Sequence, residues 1–198
     1  KDQSHRGKYK TTDNVVMMKN EKGEDVILFR PTPPYLVKKE MDDVMYWANE
    51  ELEKKELPPL LVMANFIFEF LAIHPFHDGN GRLSRALTNT LLLKAGYSYI
   101  PYVSMEEIIE EHRTDYYLSL RATQKNHKTE NEDITPWVNY FLDVLVEQAD
   151  RAKKLMDSDQ PEKLLSENQR QVYKLFDQKE SLSIGEIHTI LEGSIPRP

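Results

Sequence analysis

Histidine, a carboxylate, paired glycines and two arginines fall close together in one run of this 198-residue chain: His74-Pro75-Phe76-His77-Asp78-Gly79-Asn80-Gly81-Arg82-Leu83-Ser84-Arg85. Imidazole has the ordinary pKa that suits a general base near neutrality, and His74 is the candidate. Gly79 and Gly81 open backbone angles closed to other residues, so that successive amides can point into one concavity. A helix beginning near Asn80 or Gly81 would add free N–H groups and a dipole, both of which favour an anion. Arg82 and Arg85, three apart, share a helical face and can both reach a phosphate chain. Asp78 alone would repel phosphate; a Mg²⁺ shared between its carboxylate and phosphate oxygens removes the conflict. Together these residues describe phosphoryl or nucleotidyl chemistry.

Two elements must position them. Before the run lies an apolar segment, Leu60 to Ile73, carrying Phe66, Phe68, Phe70 and Leu71. After it, Leu83, Leu87 and Leu91 recur every four residues, as on one buried face of a helix. Pro75 cannot continue the first helix, because its ring clashes and it lacks an N–H. The run therefore reads as a turn between two buried helices.

At these residues the chain resembles the Fic family, whose signature H-P-F-x-[D/E]-G-N-G-R-x-x-R is matched at every fixed position. The resemblance covers about Lys8 to Leu155. It implies an all-α fold, a Fic-type helical bundle with a small β-hairpin flap. It also implies transfer of AMP from Mg-ATP to a Ser, Thr or Tyr hydroxyl of a target protein or of the chain itself. Carried over by position, His74 would deprotonate the hydroxyl and Asp78 would hold Mg²⁺. Gly79, Asn80 and Gly81 would bind the α- and β-phosphates, Arg82 would stabilise the leaving pyrophosphate, and Arg85 would contact the γ-phosphate. Phe76 would anchor the loop by packing. The related Doc kinases carry Lys where this chain has Gly81, which favours nucleotidyl transfer.

Other readings of the same residues stay open. Paired glycines can mark any helix–helix turn. His74, His77 and Asp78 could ligate a transition metal, although the arginines would then go unexplained. At the level of function, the alternatives are a nucleotide-sensing or DNA-binding regulator, or transfer of another phosphate-containing group. A sensor has no need of a general base, and His74 and Asp78 favour the enzyme.

Composition narrows the class. The content is 39% hydrophobic and 30% charged, as in a soluble globular protein. A net charge of −7 argues against a general nucleic-acid coat or a binder of anionic membranes. Without cysteine, disulfides and thiolate metal sites are impossible. No run is apolar enough for a membrane span, and no signal peptide is visible, so a cytoplasmic location is expected. The first residue, Lys1, suggests a fragment or a processed form.

The first domain is expected at 1–156. Its apolar runs Val15–Met18 and Val26–Phe29 flank a polar turn containing Gly23, the pattern of a hairpin over about 15–29. By placement this would be the family's flap, which docks a target segment by strand addition. Pro31-Thr32-Pro33-Pro34 is a rigid spacer. A helix over Val37 to Lys55 would bury Met41, Val44, Met45 and Leu52, with Tyr46 and Trp47 adding bulk. Gly96 is the expected C-terminal cap of the helix that follows the motif. Tyr97 to Tyr102 reads as irregular. Ser104, with Glu107 as capping-box partner, should start a helix running to about Lys125, with His112 near its middle. Tyr116 and Tyr117 are read as core or half-buried, with an adenine-lining role as the sharper alternative. Thr135-Pro136 should open a last helix with a core stripe of Trp137, Tyr140, Phe141, Val144 and Leu145.

A second domain is expected at 157–198: a linker, then two amphipathic helices over Ser166 to Phe176 and Ser183 to Leu191. That pattern is similar to the start of a winged helix-turn-helix, cut off where its recognition helix would open at Gly193 to Pro198. Eight acidic and five basic side chains leave this segment at −3, so DNA binding is not supported. A homo-oligomer is left open. Family members are commonly restrained by a helix of pattern [S/T]-x-x-x-E-[G/N], whose glutamate would pair with Arg85. Glu130-Asn131, Glu167-Asn168 and Glu192-Gly193 have the right endings, but Asn126, Lys163 and His188 stand where Ser or Thr is required. That helix is expected before Lys1, after Pro198, or on a partner chain.

Overall fold

The computed structural model describes residues 7–19, 25–157, 165–176 and 181–191. Its elements run β1 (Val16–Lys19), β2 (Asp25–Phe29), α1 (Pro34–Lys54), α2 (Pro59–Ile73), α3 (Asn80–Lys94), a 3₁₀ turn (Ile100–Tyr102), α4 (Met105–Glu111), α5 (Arg113–Gln124), α6 (Thr135–Met156), α7 (Glu167–Leu175) and α8 (Ile184–Ile190). The chain divides into two compact units, Lys1–Ala149 and Asp150–Pro198.

In the first unit α2 is the hub. Proline at its first positions supplies the fixed φ of a helix start. Val62, Ile67, Phe68, Phe70 and Ile73 are each no more than 2% exposed, so most of the helix is buried, with Asn65 and Glu69, four apart, on a partly exposed strip. One flank packs into the main core with Ile108 of α4, Tyr116 and Leu120 of α5, and Trp137, Phe141 and Leu145 of α6. The expected α6 stripe is thus core throughout. The other flank, through Phe70 and Ile73, meets Val37, Met41 and Val44 of α1. Met45 and Tyr46, expected to add to that stripe, are instead 37% and 66% exposed. The consequence for the site is positional: the last residue of a helix held on both sides is the one before His74.

The α3 helix does not bury the leucine face that its sequence suggests. Its buried residues are Asn80, Ser84, Thr88 and Leu92, while Leu83 is 38% exposed and Leu87 and Leu91 are only partly covered. Small polar side chains serve here because each hydroxyl bonds within its own helix: Ser84 Oγ donates to Gly81 O at 2.8 Å and Thr88 Oγ1 to Ser84 O at 2.8 Å. Neither of these hydroxyls is left unpaired, and α3 can approach α2 closely. Its C-terminus is the expected glycine cap: Gly96 has φ +96°, its N–H donates to Leu93 O, and Tyr97 N–H reaches Leu92 O.

Two further expectations need correction. The stretch Tyr97 to Tyr102 is not wholly irregular but contains the 3₁₀ turn. The single helix expected from Met105 to Lys125 is broken at His112 into α4 and α5. Neither proline nor glycine marks that break; His112 Nε2 is held 3.0 Å from Glu147 Oε2 on α6. Ser104 does cap α4, accepting from Glu107 N–H.

The strands pair antiparallel, with Met17 opposite Ile27 and Val16 opposite Phe29, and an irregularity between the two pairs. Bulges of this kind re-aim side chains. Here Val16 and Phe29 turn to line a cavity, whereas Met17 and Ile27 are about half exposed. The turn of the hairpin lies outside the described residues.

In the second unit, α7 and α8 each start with a complete capping box, Ser166 with Gln169 and Ser183 with Glu186. The two expected amphipathic helices are therefore present. The recognition-helix start expected at Gly193 to Pro198 and most of the linker lie outside the described residues.

Candidate active site

His74 caps α2 in the left-handed region, φ 52° and ψ 60°, with its N–H on Phe70 O at 3.0 Å. A non-glycine residue there costs roughly 1–2 kcal/mol, so the surroundings must hold it. Its Nδ1 lies 3.3 Å from Leu71 O. With a proton on Nδ1 donated to that carbonyl, the Nε2 lone pair is left for chemistry. Burial lowers the His74 pKa, and the Lys10 ammonium lowers it further, against an opposing effect of the Leu71 hydrogen bond. The imidazole is therefore neutral at neutral pH, the form a base requires. The Phe29 ring meets it edge-on at 6.3 Å.

The loop beyond His74 is fixed by Asn80. Its side chain, 1% exposed, accepts from Phe76 N–H at 2.9 Å and donates to Phe76 O at 2.7 Å. What Asn80 can offer a phosphate is then its backbone N–H. Gly79, at φ +87°, makes the left-handed turn into α3. Gly81, in contrast to the expectation, sits within the first helical turn at ordinary angles. A Cβ there would meet Arg85 Nη1 at 3.4 Å, an ordinary contact with the end of a flexible side chain. The first amides of α3 have no intrahelical partner and point out of its N-terminus.

The charged residues lie around that terminus. Arg82 Nη2 is 3.2 Å from Asp78 Oδ2, in a pair open to solvent. Arg85 makes a two-point pair with Glu106 of α4, through Nε to Oε2 and through Nη2 to Oε1 at 2.7 Å. The sequence offers no periodic signal linking Glu106 to the motif. His74, His77 and Asp78 do not form a metal-ligand cluster among the described residues. The two clusters that do, Glu69–His127–Glu132 and Glu111–His112–Glu147, contain no motif residue.

A cavity of about 220 Å³ opens beside His74. The flap contributes Val16 and Phe29, the motif contributes Gly81 and Arg85, and α5 contributes Tyr116, Tyr117, Leu120, Arg121 and Gln124. Tyr116 is 9% exposed and in the core, as expected, and both Tyr116 and Tyr117 line the cavity. Gln124 Nε2 is buried without a hydrogen-bond partner, an unsatisfied donor in the cavity wall. Arg121 and Gln124 went unrecognised in the sequence, where only the motif carries a spacing signal.

The Fic/DOC family model matches residues 1–92, which take in both strands, α1, α2 and the whole motif. Over those residues the chain matches the Fic/DOC family. Among curated relatives, the chain is 32% identical to protein adenylyltransferase Fic of Drosophila virilis over 152 residues, 75% of this chain and 29% of that protein. It is 31% identical to protein adenylyltransferase fic-1 of Caenorhabditis elegans over 112 residues, 57% of this chain and 20% of the relative. It thus spans less than a third of the length of these relatives. Among solved structures, a Fic domain containing signaling protein from Bacteroides thetaiotaomicron superposes with TM-score 0.60 at 29% identity, covering 76% of this chain and 56% of the other. A Fic family protein from Desulfovibrio desulfuricans superposes with TM-score 0.61 at 26% identity, covering 96% and 51%. No helix among the described residues is long and apolar enough to cross a membrane.

Proposed function

We propose that this chain transfers AMP from Mg-ATP to a hydroxyl of a protein, the activity named in its curated relatives. The observation that carries the reading is the placement of His74: a neutral imidazole, fixed through Nδ1, beside a cavity bounded by a helix N-terminus and Arg85. His74 Nε2 takes the proton of the target hydroxyl. The freed oxygen bonds to the α-phosphorus, the bond from that phosphorus to the oxygen bridging to the β-phosphate breaks, and pyrophosphate leaves. The amides of Gly79, Asn80 and Gly81 receive phosphate oxygens. Arg82 and Arg85, once turned from Asp78 and Glu106, take up charge on the departing pyrophosphate and the γ-phosphate.

Asp78 fits a Mg²⁺ that arrives with a nucleotide: one exposed carboxylate, beside the phosphate-binding amides, is the usual protein share of such a site. Bound there, Mg²⁺ would neutralise phosphate charge. The cavity is smaller than the usual range for a whole drug-sized ligand, which suits a base and sugar inside with the phosphates at the mouth. Tyr117 offers the base a ring face, and Gln124 Nε2 offers a donor to one of its acceptor atoms. The flap supports docking of a target strand, because Met17 and Ile27 face each other across the ladder and are both half exposed.

The test is incubation with ATP labelled at the α- or the γ-phosphate. Label on protein from the α position only is expected. Label from γ only means a kinase, and label from neither in the presence of ATP-Mg²⁺ and candidate targets means a sensor.

A further inference from the structure

One residue outside the motif grips it on both sides of His74. Lys10 is 3% exposed. Its backbone N–H donates to Pro75 O at 2.8 Å, and its ammonium donates to Ile73 O at 3.1 Å. The two carbonyls that flank His74 are therefore held by the same residue. The ammonium also donates to Asn14 Oδ1 at 2.8 Å, and Asn14 Nδ2 in turn donates to Phe76 O at 3.3 Å. Thr11 N–H reaches His77 Nε2 at 3.3 Å. Residues 10–14 thus form a strap across residues 73–77.

An apolar side chain would fill the same space without the desolvation cost of a buried ammonium. A cation does something an apolar group cannot. Ile73 O is one of the last carbonyls of α2, where no intrahelical partner exists and the helix dipole favours positive charge. Lys10 satisfies that carbonyl at the point where the chain turns left-handed.

We propose that Lys10 is a positioning residue for His74, locking the turn at the end of α2 and so fixing where the imidazole Nε2 points. The inference rests on the reading of His74 as the general base. The charged and titratable groups around Lys10 are Asp13 from its own segment, Glu40 from α1, and His74 and His77 from the loop. Burial lowers the Lys10 pKa to about 8, with Asp13 and Glu40 opposing, so the ammonium is largely protonated at neutral pH. Its charge disfavours the imidazolium form of His74 and helps keep the base neutral.

The experiment compares Lys10→Met and Lys10→Arg with the unmodified chain. Misplacing the base should lower kcat in Lys10→Met by on the order of tenfold to a hundredfold while KM for Mg-ATP stays within about twofold, and Lys10→Arg should recover most of the loss. A second readout needs no activity: the ring signals of His74, followed by NMR without nucleotide, should titrate at higher pH in Lys10→Met and near the unmodified position in Lys10→Arg. If the unmodified chain transfers nothing, the general-base reading fails, and the titration still decides whether Lys10 sets the state of His74. If Lys10→Met does not fold, Asn14→Ala, which removes one of the ammonium's acceptors, is read by the same two measurements. Unmoved kcat with an unmoved His74 titration overturns the proposal. So does equal damage in the Arg and Met variants without any change at His74, because that is the signature of packing alone.

Discussion

Arg85 and Glu106 face each other in a two-point pair, with Arg85 one-fifth exposed and Glu106 nearly two-thirds exposed. The arginine assigned to the γ-phosphate is thus already engaged by a carboxylate of its own chain. Glu106 lies outside the inhibitory pattern sought in the sequence and sits on α4, 21 residues from its partner. A ligand phosphate that takes up Nε and Nη2 competes with this carboxylate, while Nη1 takes no part in the pair. For a pair this open to solvent the competition is modest, about 0–1 kcal/mol. Glu106→Gln is expected to tighten Mg-ATP binding by up to about fivefold, measured by calorimetry. Weaker binding would mean that Glu106 orients Arg85 for the phosphate instead of competing with it.

Removing the base separates chemistry from binding. His74→Ala is expected to lower transfer by about a hundredfold or more, because a positioned general base contributes that much. Nucleotide affinity should change little, since the amides of α3 and the arginines are untouched. Single-turnover rates and equilibrium binding on the same preparation decide it, and a full rate without the imidazole would remove His74 from the mechanism.

Acidity should act through the same residue. Burial and Lys10 lower the His74 pKa below its ordinary 6.5. The acidic limb of kcat/KM is therefore expected to have its midpoint below 6.5. Stability has a matching sign. Just below 6.5 the unfolded chain binds more protons than the folded one, so acidification through that window favours unfolding. Thermal unfolding of His74→Ala should show less of this loss. An acidic limb above 6.5 would contradict the buried, neutral imidazole.

Asp78 and Asn80 should respond in opposite ways. The Asp78 side chain is 88% exposed, and Asp78→Ala is expected to shift stability by no more than about 0.5 kcal/mol while lowering the Mg²⁺-dependent rate. Asn80→Ala leaves the Phe76 N–H without its partner and the Phe76 carbonyl with Asn14 Nδ2, in a half-buried loop, at a cost of about 1–3 kcal/mol. Chemical denaturation distinguishes them. A large stability loss in the Asp78 variant would make its carboxylate structural.

The motif residues, the turn between two helices, the proline-started helices, the glycine cap at Gly96 and the core stripe of α6 were all legible in the chain itself. Each is set by local rules: fixed φ at proline, left-handed backbone at glycine, and apolar spacing of 3–4 residues. The match to the Fic/DOC family, too, was readable from one run of twelve residues. The leucine face of α3 misled because apolar spacing alone does not tell which face a neighbour will cover. Asn80, Ser84 and Thr88 take the buried side, since small hydroxyls and one amide can bond back to local backbone and let α2 come close. Tertiary structure alone brought Glu106 to Arg85, Lys10 to both sides of His74, and Gln124 to the cavity. Those pairings join residues 21 to 65 positions apart or on separate helices. No local propensity encodes them; they exist because α2 is clamped on two flanks and ends at one defined place.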